Sequence, residues 1–326
     1  MANERVHRYR RLRQSPTIRN LIRETVLTAN DLIQPFFVID GKKRNEAISS
    51  MPGISRFSCD LLLKEIGEYV KAGGQAGLFF SIPTKKNASA SEAYSSNGVL
   101  QKAIKAVKKE FPQFYVITDV CLCGFTDHGH CGIVENAQVD NDKTLAVLGD
   151  TAVSHAQAGA DIVAPSGMMD FCIQAIRRDL DKSGFINTGI MSYAVKYASV
   201  FYGPFREAAH SAAKSGDRKS YQMDPANKRE ALKEAQMDVC EGADIVMVKP
   251  AVPYLDIVSL LREKLNVPIA AYHVSGEYSM IKAAVQRKWV DERSVVLETL
   301  CCIKRAGADI VISYHAKDVL EWIKKT

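Results

Sequence analysis

The chain has 326 residues, 47% of them hydrophobic, and a formal net charge of +6. That composition can bury a large core, yet no stretch approaches the roughly 20 apolar residues of a membrane span, and nothing near Met1 resembles a secretory signal. Eight cysteines without an export signal point to a reducing compartment, the cytoplasm, and to free or metal-bound thiols rather than disulfides.

The charge is concentrated at the start. Arg5, Arg8, Arg10, Arg11, Arg13, Arg19 and Arg23 stand against Glu4 and Glu24, so residues 1–25 carry +5 and the remainder only +1. A basic segment can bind nucleic acid, serve as a transit segment, or pack on a neighbouring subunit. Leu12, Ile18, Leu21 and Ile22 interleave with the arginines, and no aromatic-and-basic pattern continues beyond them. The segment, residues 1–30, therefore reads first as an extended N-terminal arm for subunit contacts. Neither a nucleic-acid nor a membrane partner is expected.

From there the chain alternates short apolar runs with amphipathic stretches. The runs are Leu32–Ile39, Gly77–Ile82, Phe114–Val120, Asp161–Ala164, Thr188–Tyr193, Asp244–Val248, Pro268–His273 and Asp309–Tyr314. Helical stretches such as Leu61–Lys71, Val99–Glu110, Thr144–Gln157 and Lys228–Glu241 separate them. The phrase Gly-Ala-Asp-Ile-Val occurs at 159, 242 and 307, each time with glycine past a helix and a β-branched run after it. Eight βα units over residues 31–326 predict an α/β fold, a (β/α)8 TIM barrel. An open doubly wound sheet is the alternative, but no Gly-x-Gly-x-x-Gly follows the first strand.

In such a barrel, chemistry gathers where the strands end. The third run leads into Asp119-Val-Cys-Leu-Cys-Gly-Phe-Thr-Asp-His-Gly-His-Cys-Gly. Cys121 and Cys123 share one face of an extended segment, and Cys131 can return from a loop holding two glycines. Three thiolates select zinc and leave one tetrahedral position open, as catalytic sites do. Unrelated buried cysteines are the plain alternative.

Further along, the fourth run leads to Ser166 and the seventh to Ser275, and the eighth ends at Tyr314. Lys249 directly follows the apolar run 244–248, and Lys196 has a similar setting after Met191-Ser-Tyr-Ala-Val. Burial and a second ammonium nearby both favour the free amine, the nucleophile that forms a Schiff base with a ketone. A long connection from Tyr202 to Asp224 carries Arg206, Arg218, Lys219 and Gln222. It reads as a lid suited to gripping a carboxylate.

Together these segments resemble the porphobilinogen synthase (5-aminolevulinate dehydratase) family. The resemblance runs from Arg11-Leu-Arg-Gln-Ser-Pro to Ile312-Ser-Tyr. It rests on the three-cysteine segment, Lys196-Tyr-Ala-Ser, Phe201-Tyr-Gly-Pro-Phe-Arg, Met247-Val-Lys-Pro and Tyr272-His-Val-Ser-Gly-Glu. It implies condensation of two 5-aminolevulinate molecules to porphobilinogen with loss of two waters, in tetrapyrrole (haem) synthesis.

On that resemblance Lys249 forms a Schiff base with the substrate giving the propionate side, whose carboxylate Ser275 and Tyr314 hold. Lys196 does so with the other substrate, whose carboxylate meets Arg206, Arg218 and Gln222. Zn2+ would sit on Cys121, Cys123 and Cys131, with Asp119 and Ser166 either supporting the groups that meet substrate or transferring protons, and Tyr202 and Phe205 lining the pocket. The resemblance also implies an allosteric Mg2+ near Glu234 and a homo-octamer in which the arm wraps a neighbouring barrel. The chain departs from the commoner family pattern at Gly124, Asp127, Gly167 and Phe171-Cys172; many relatives have Gly-Arg at the last pair. Two rival readings remain. A metal-free class I aldolase would leave Lys196 and the thiols idle, and a zinc-bearing nucleic-acid module would leave both lysines idle.

Overall fold

The computed structural model describes residues 7–214 and 216–324; Glu4 and Arg5 of the basic arm lie outside them. Eight parallel strands close on themselves: β1 (Leu32–Ile39), β2 (Ala76–Ile82), β3 (Tyr115–Val120), β4 (Ile162–Pro165), β5 (Gly189–Lys196), β6 (Ile245–Lys249), β7 (Ile269–His273) and β8 (Ile310–Ser313). Each pairs with the next, and β8 pairs with β1 through Leu32–Val311 and Ile33–Ile312. All eight predicted runs are strands of this barrel.

All eight residues of β1 are buried, because a barrel strand is covered on both faces. Phe36 and Val38 pack outward under the helices, while Ile33, Phe37 and Ile39 fill the interior with Leu78, Phe80 and Met247. The recurring Gly-Ala-Asp has a physical role at the floor of the barrel. Gly159 and Gly242 end their helices with φ of +106° and +110°, and Gly307 has φ +121°, a region that a Cβ disfavours. Asp161, Asp244 and Asp309 then each accept a backbone N–H at the start of the preceding strand, from Val116 (2.7 Å), Ile190 (2.7 Å) and Ile269 (2.9 Å). The repeat turns the chain and caps a neighbouring strand in three residues.

Two short antiparallel pairings decorate the barrel, Asn45–Ala47 with Ser55–Ser58 and Ile133–Glu135 with Gln138–Asp140. Their three- and four-residue, partly exposed strands carry too little alternation to be read beforehand. The connection after β5 is not loop throughout, since Gly203–Ala208 is a short helix. Within the arm, Pro16–Leu21 is helical, capped by Ser15 Oγ on the Ile18 N–H. None of its residues is buried.

Asp161→Ala should lower unfolding free energy by about 1–3 kcal/mol, the cost of leaving the Val116 N–H unpaired. Urea unfolding at fixed protein concentration measures it, and an unchanged midpoint would remove the strand-capping role.

Candidate active site

Lys249 sits where the parity of β6 directs it. Met247 points into the barrel, Val246 and Val248 point out, and Lys249 follows inward to the mouth. Lys196 gets there by a different route. Between Val246 and Val248 of β6, β5 carries an additional residue, with Ser192 and Val195 as partners. This bulge reverses the parity of β5. Val195 turns to the outer layer although Tyr193 points inward, and Lys196 pairs in register with Lys249. Two ammonium groups therefore rise from adjacent strands about 4.8 Å apart.

Both lysines are 5% exposed, but their surroundings differ. Lys196 Nζ donates to the Ser166 carbonyl at 2.5 Å. Lys249 Nζ lies among aromatic rings, 4.4 Å from the centroid of Tyr272, 4.9 Å from Tyr193, 5.1 Å from Phe205 and 5.3 Å from Tyr202. Burial first, and the charge of Lys196 second, push the Lys249 ammonium down to about 7. Asp119 sits below them at the end of β3. Its burial raises its pKa, opposed by Lys196, a hydrogen bond from Ser166 and Lys249.

Cys121, Cys123 and Cys131 come together as predicted. Their sulfurs lie within 4.8 Å of one another, Cys121 and Cys123 at 3.4 Å. A tetrahedron with Zn–S bonds of about 2.3 Å has edges of about 3.8 Å, a spacing within the 4.8 Å that bounds this group. Cys131 ionises most readily, because the other two thiols donate to it and Arg218 and Lys196 are close. Three neighbouring thiolates repel one another unless a cation joins them, so the donor set fits a soft divalent metal. Glu292, His315 and Asp318 form a second compact group, but Lys282 already neutralises Glu292 at 2.5 Å.

The cysteine loop and the lid are bonded together. Arg218 donates to the Gly129 carbonyl at 2.9 Å and Lys214 N–H to the His128 carbonyl at 3.1 Å. Tyr221 OH meets His130 Nδ1 at 3.1 Å. Gly129 has φ +78°, and a Cβ there would stand 2.3 Å from the Ala212 carbonyl, so this contact requires glycine.

Arg206 lies beside Arg218, and burial together with that like charge lowers its pKa. Gln222 is 4% exposed, and neither its Nε2 nor its Oε1 has a hydrogen-bond partner among the described residues. Two guanidiniums and a buried amide without partners are groups chemically suited to a carboxylate. Lys219 does not join them, being exposed beside Asp217.

Across the mouth, Tyr314 OH is 3.0 Å from Tyr272 OH. Ser275 Oγ accepts the Phe205 N–H at 3.0 Å, and Tyr202 OH donates to the Lys249 carbonyl at 3.0 Å. Ser81 and Asp119 line a small pocket with Phe80, Cys121, Cys123 and Phe205. Glu234 lies apart, in a cavity of about 580 Å³ behind the lid with Asp170, Lys219 and Glu230. Burial and the charges of Asp170 and Glu230 raise its pKa. The departure from family pattern at Phe171 has a structural cost, since its φ is +64° where glycine would be unstrained. Sequence reasoning missed Tyr193, whose buried OH has no partner among the described residues and whose ring lies 5.6 Å from Lys196 Nζ. Only its inward parity on β5 could have revealed it.

The model of the family "Delta-aminolevulinic acid dehydratase" matches residues 6–322. The chain belongs to this family. It is 52% identical over 317 residues to the delta-aminolevulinic acid dehydratase of Bacillus subtilis, covering 97% of this chain and 98% of the relative. Identity to that of Archaeoglobus fulgidus is 52% over 314 residues, covering 96% and 97%. Among solved structures, the delta-aminolevulinic acid dehydratase (porphobilinogen synthase) of Toxoplasma gondii, in complex with the reaction product porphobilinogen, superimposes with a TM-score of 0.96 at 44% identity. That match covers 98% of this chain and 92% of the other. Members of the delta-aminolevulinic acid dehydratase family are hydro-lyases, and this chain is an enzyme of that class. No helix among its described residues is long and apolar enough to cross a membrane.

A lysine with a pKa of about 7 is half free amine there, and its amine fraction rises with pH to a plateau near pH 8.5. Reductive methylation of the Lys249 peptide, followed by mass spectrometry from pH 6 to 10, should therefore level off near pH 8.5, while exposed lysines, with a pKa about three units higher, still climb at pH 10. A rate still climbing past pH 9 would mean an ordinary ammonium.

Proposed function

We propose that the enzyme condenses two 5-aminolevulinate molecules into porphobilinogen with loss of two waters, serving tetrapyrrole (haem) synthesis in the cytoplasm. The observation that carries this reading is the pairing of Lys196 with Lys249 beside a three-thiol cluster. Two ketones need two amines.

Lys249, whose free amine is favoured by burial, attacks the ketone of the propionate-side substrate. Ser275 and Tyr314 bind the carboxylate of that molecule. Lys196 forms the Schiff base with the second substrate, and Arg206, Arg218 and Gln222 receive its carboxylate from the lid. Tyr202 and Phe205 turn their rings to the Lys249 amine and help to keep the mouth dry. Asp119, its carboxyl raised by burial and bonded to Ser166, is placed to move protons at the Schiff-base nitrogens. Zn2+, held by Cys121, Cys123 and Cys131, would act as Lewis acid and template for the second substrate.

A Mg2+ near Glu234 is the accompanying regulatory proposal, supported by the acidic neighbours Asp170 and Glu230 in the same cavity. A homo-octamer is the proposed assembly. The arm supports it by exposing Tyr9 (74%), Leu12 and Leu21 (76%), a surface suited to the flank of another barrel.

Purified protein incubated with 5-aminolevulinate should yield porphobilinogen, lose that activity to a zinc chelator, and regain it with zinc. Activity indifferent to chelation would remove the zinc role; no product from folded, zinc-loaded protein would sink the reading. Lys249→Met should lower kcat by about a thousandfold or more, and Cys123→Ala should lose bound zinc and turnover together. Steady-state kinetics and metal analysis on the same preparations check both.

A further inference from the structure

One buried carboxylate near the mouth has no place in the reaction just described. Glu277 is 6% exposed and closes the Tyr272-His-Val-Ser-Gly-Glu motif, two residues after Ser275. It is the third residue of the helix Ser275–Gln286. That position accounts for one of its hydrogen bonds, in which Oε2 accepts the Val274 N–H at 2.5 Å. This is the reach-back half of a capping box. The other half is missing, since valine offers no side-chain acceptor.

The second oxygen reaches a different segment, at the start of the short 3-10 helix Val252–Tyr254. Oε1 accepts the Val252 N–H at 2.6 Å, in the turn after β6, three residues beyond Lys249. The carboxylate thus bridges the turn behind Lys249 and the turn that presents Ser275. Other bonds complete the circuit. Ser275 Oγ binds the Phe205 N–H and, at 3.3 Å, the Phe201 carbonyl, and Tyr202 from that same segment donates to the Lys249 carbonyl. Both ends of the circuit carry groups assigned to a single substrate molecule. Both oxygens of Glu277 are engaged by backbone, so the side chain touches no reacting atom.

We propose that Glu277 is a positioning residue, whose carboxylate sets the separation between the Lys249 amine and the Ser275 hydroxyl that receive one substrate. The proposal rests on the reading in which Lys249 and Ser275 serve the same 5-aminolevulinate. Bonds from N–H groups to an ionised carboxylate are short and about twice as strong as neutral ones. Displacement of a reacting group by about 1 Å costs on the order of a hundredfold in rate. In Glu277→Gln the amide NH2 faces one of the two N–H donors, so one link of the bridge is lost.

The test is reductive trapping with 5-aminolevulinate and borohydride on zinc-loaded wild type, Glu277→Gln and Glu277→Asp. Mass spectrometry then quantifies the Lys249 and Lys196 peptides, alongside steady-state kinetics. In Glu277→Gln the Lys249 label should fall about tenfold relative to the Lys196 label in the same sample, with KM raised. Glu277→Asp keeps both acceptor oxygens on an arm one methylene shorter and should recover part of the loss. Equal loss at both lysines, or an unchanged ratio and KM in the folded variants, would overturn the proposal. Wild type that traps substrate at neither lysine would overturn the Schiff-base reading itself, and this proposal with it.

Discussion

The mouth of this barrel depends on one register. A single additional residue in β5 brings Lys196 level with Lys249 on the neighbouring strand. Two like charges then share a space walled by Tyr193, Tyr202, Phe205 and Tyr272. In so dry a site their repulsion is screened far less than in water. Burial first and the charge of Lys196 second lower the pKa of Lys249, against the opposing pull of Asp119, Cys121 and Cys123. Lys196 keeps a carbonyl, that of Ser166, at 2.5 Å. A reaction that joins two identical molecules in different roles requires two unlike seats. On the proposed reading, the bulge supplies the pairing and the unequal surroundings supply the difference.

The thiol cluster bears on the same economy of charge. Arg218 and Lys196 favour the Cys131 thiolate, and Arg218 is itself fixed by the Gly129 carbonyl of the cysteine loop. The lid therefore does more than cover the mouth. It brings a guanidinium that serves the cysteines and, on the proposed reading, a substrate carboxylate. A change in the loop between Cys123 and Cys131 is transmitted to the lid through His128, Gly129 and His130, each bonded to residues of 214–221.

Much of this was legible in the chain, for identifiable reasons. Barrel strands are buried on both faces, so they stand out as uninterrupted apolar runs, and Gly-Ala-Asp marks the helix-to-strand turn three times. Lys249 obeys simple alternation along β6. Lys196 does not, since parity from Met191 and Tyr193 would have aimed Val195 at the mouth and Lys196 away. Its place after an apolar run marked that lysine, and the family motif agreed; strict strand periodicity would not have aimed it at the mouth, because a bulge has no signature in composition. Tyr193 and Glu277 were missed for a related reason. A tyrosine inside a strand and a glutamate in the first turn of a helix are ordinary residues there. Only the partner each lacks, or the distant backbone each reaches, sets it apart.

The mouth is also where the molecule departs from stable packing. Tyr193 Oη, Ser81 Oγ and both amide atoms of Gln222 are buried without partners among the described residues, each at a cost of about 1–3 kcal/mol. Lys249 adds a buried amine held among rings. Such groups persist only because the scaffold around them is over-determined. The barrel is closed by eight strand pairings, its floor is capped by three aspartates, and its interior is filled by large side chains such as Phe37, Phe80 and Met247. The same division explains why the reactive groups stand on strand ends rather than on the lid. A strand end inherits the rigidity of the barrel and can hold an unpaired polar atom at a fixed place. On the proposed reading, the lid, whose irregular part follows Ala208, contributes groups that arrive with the substrate.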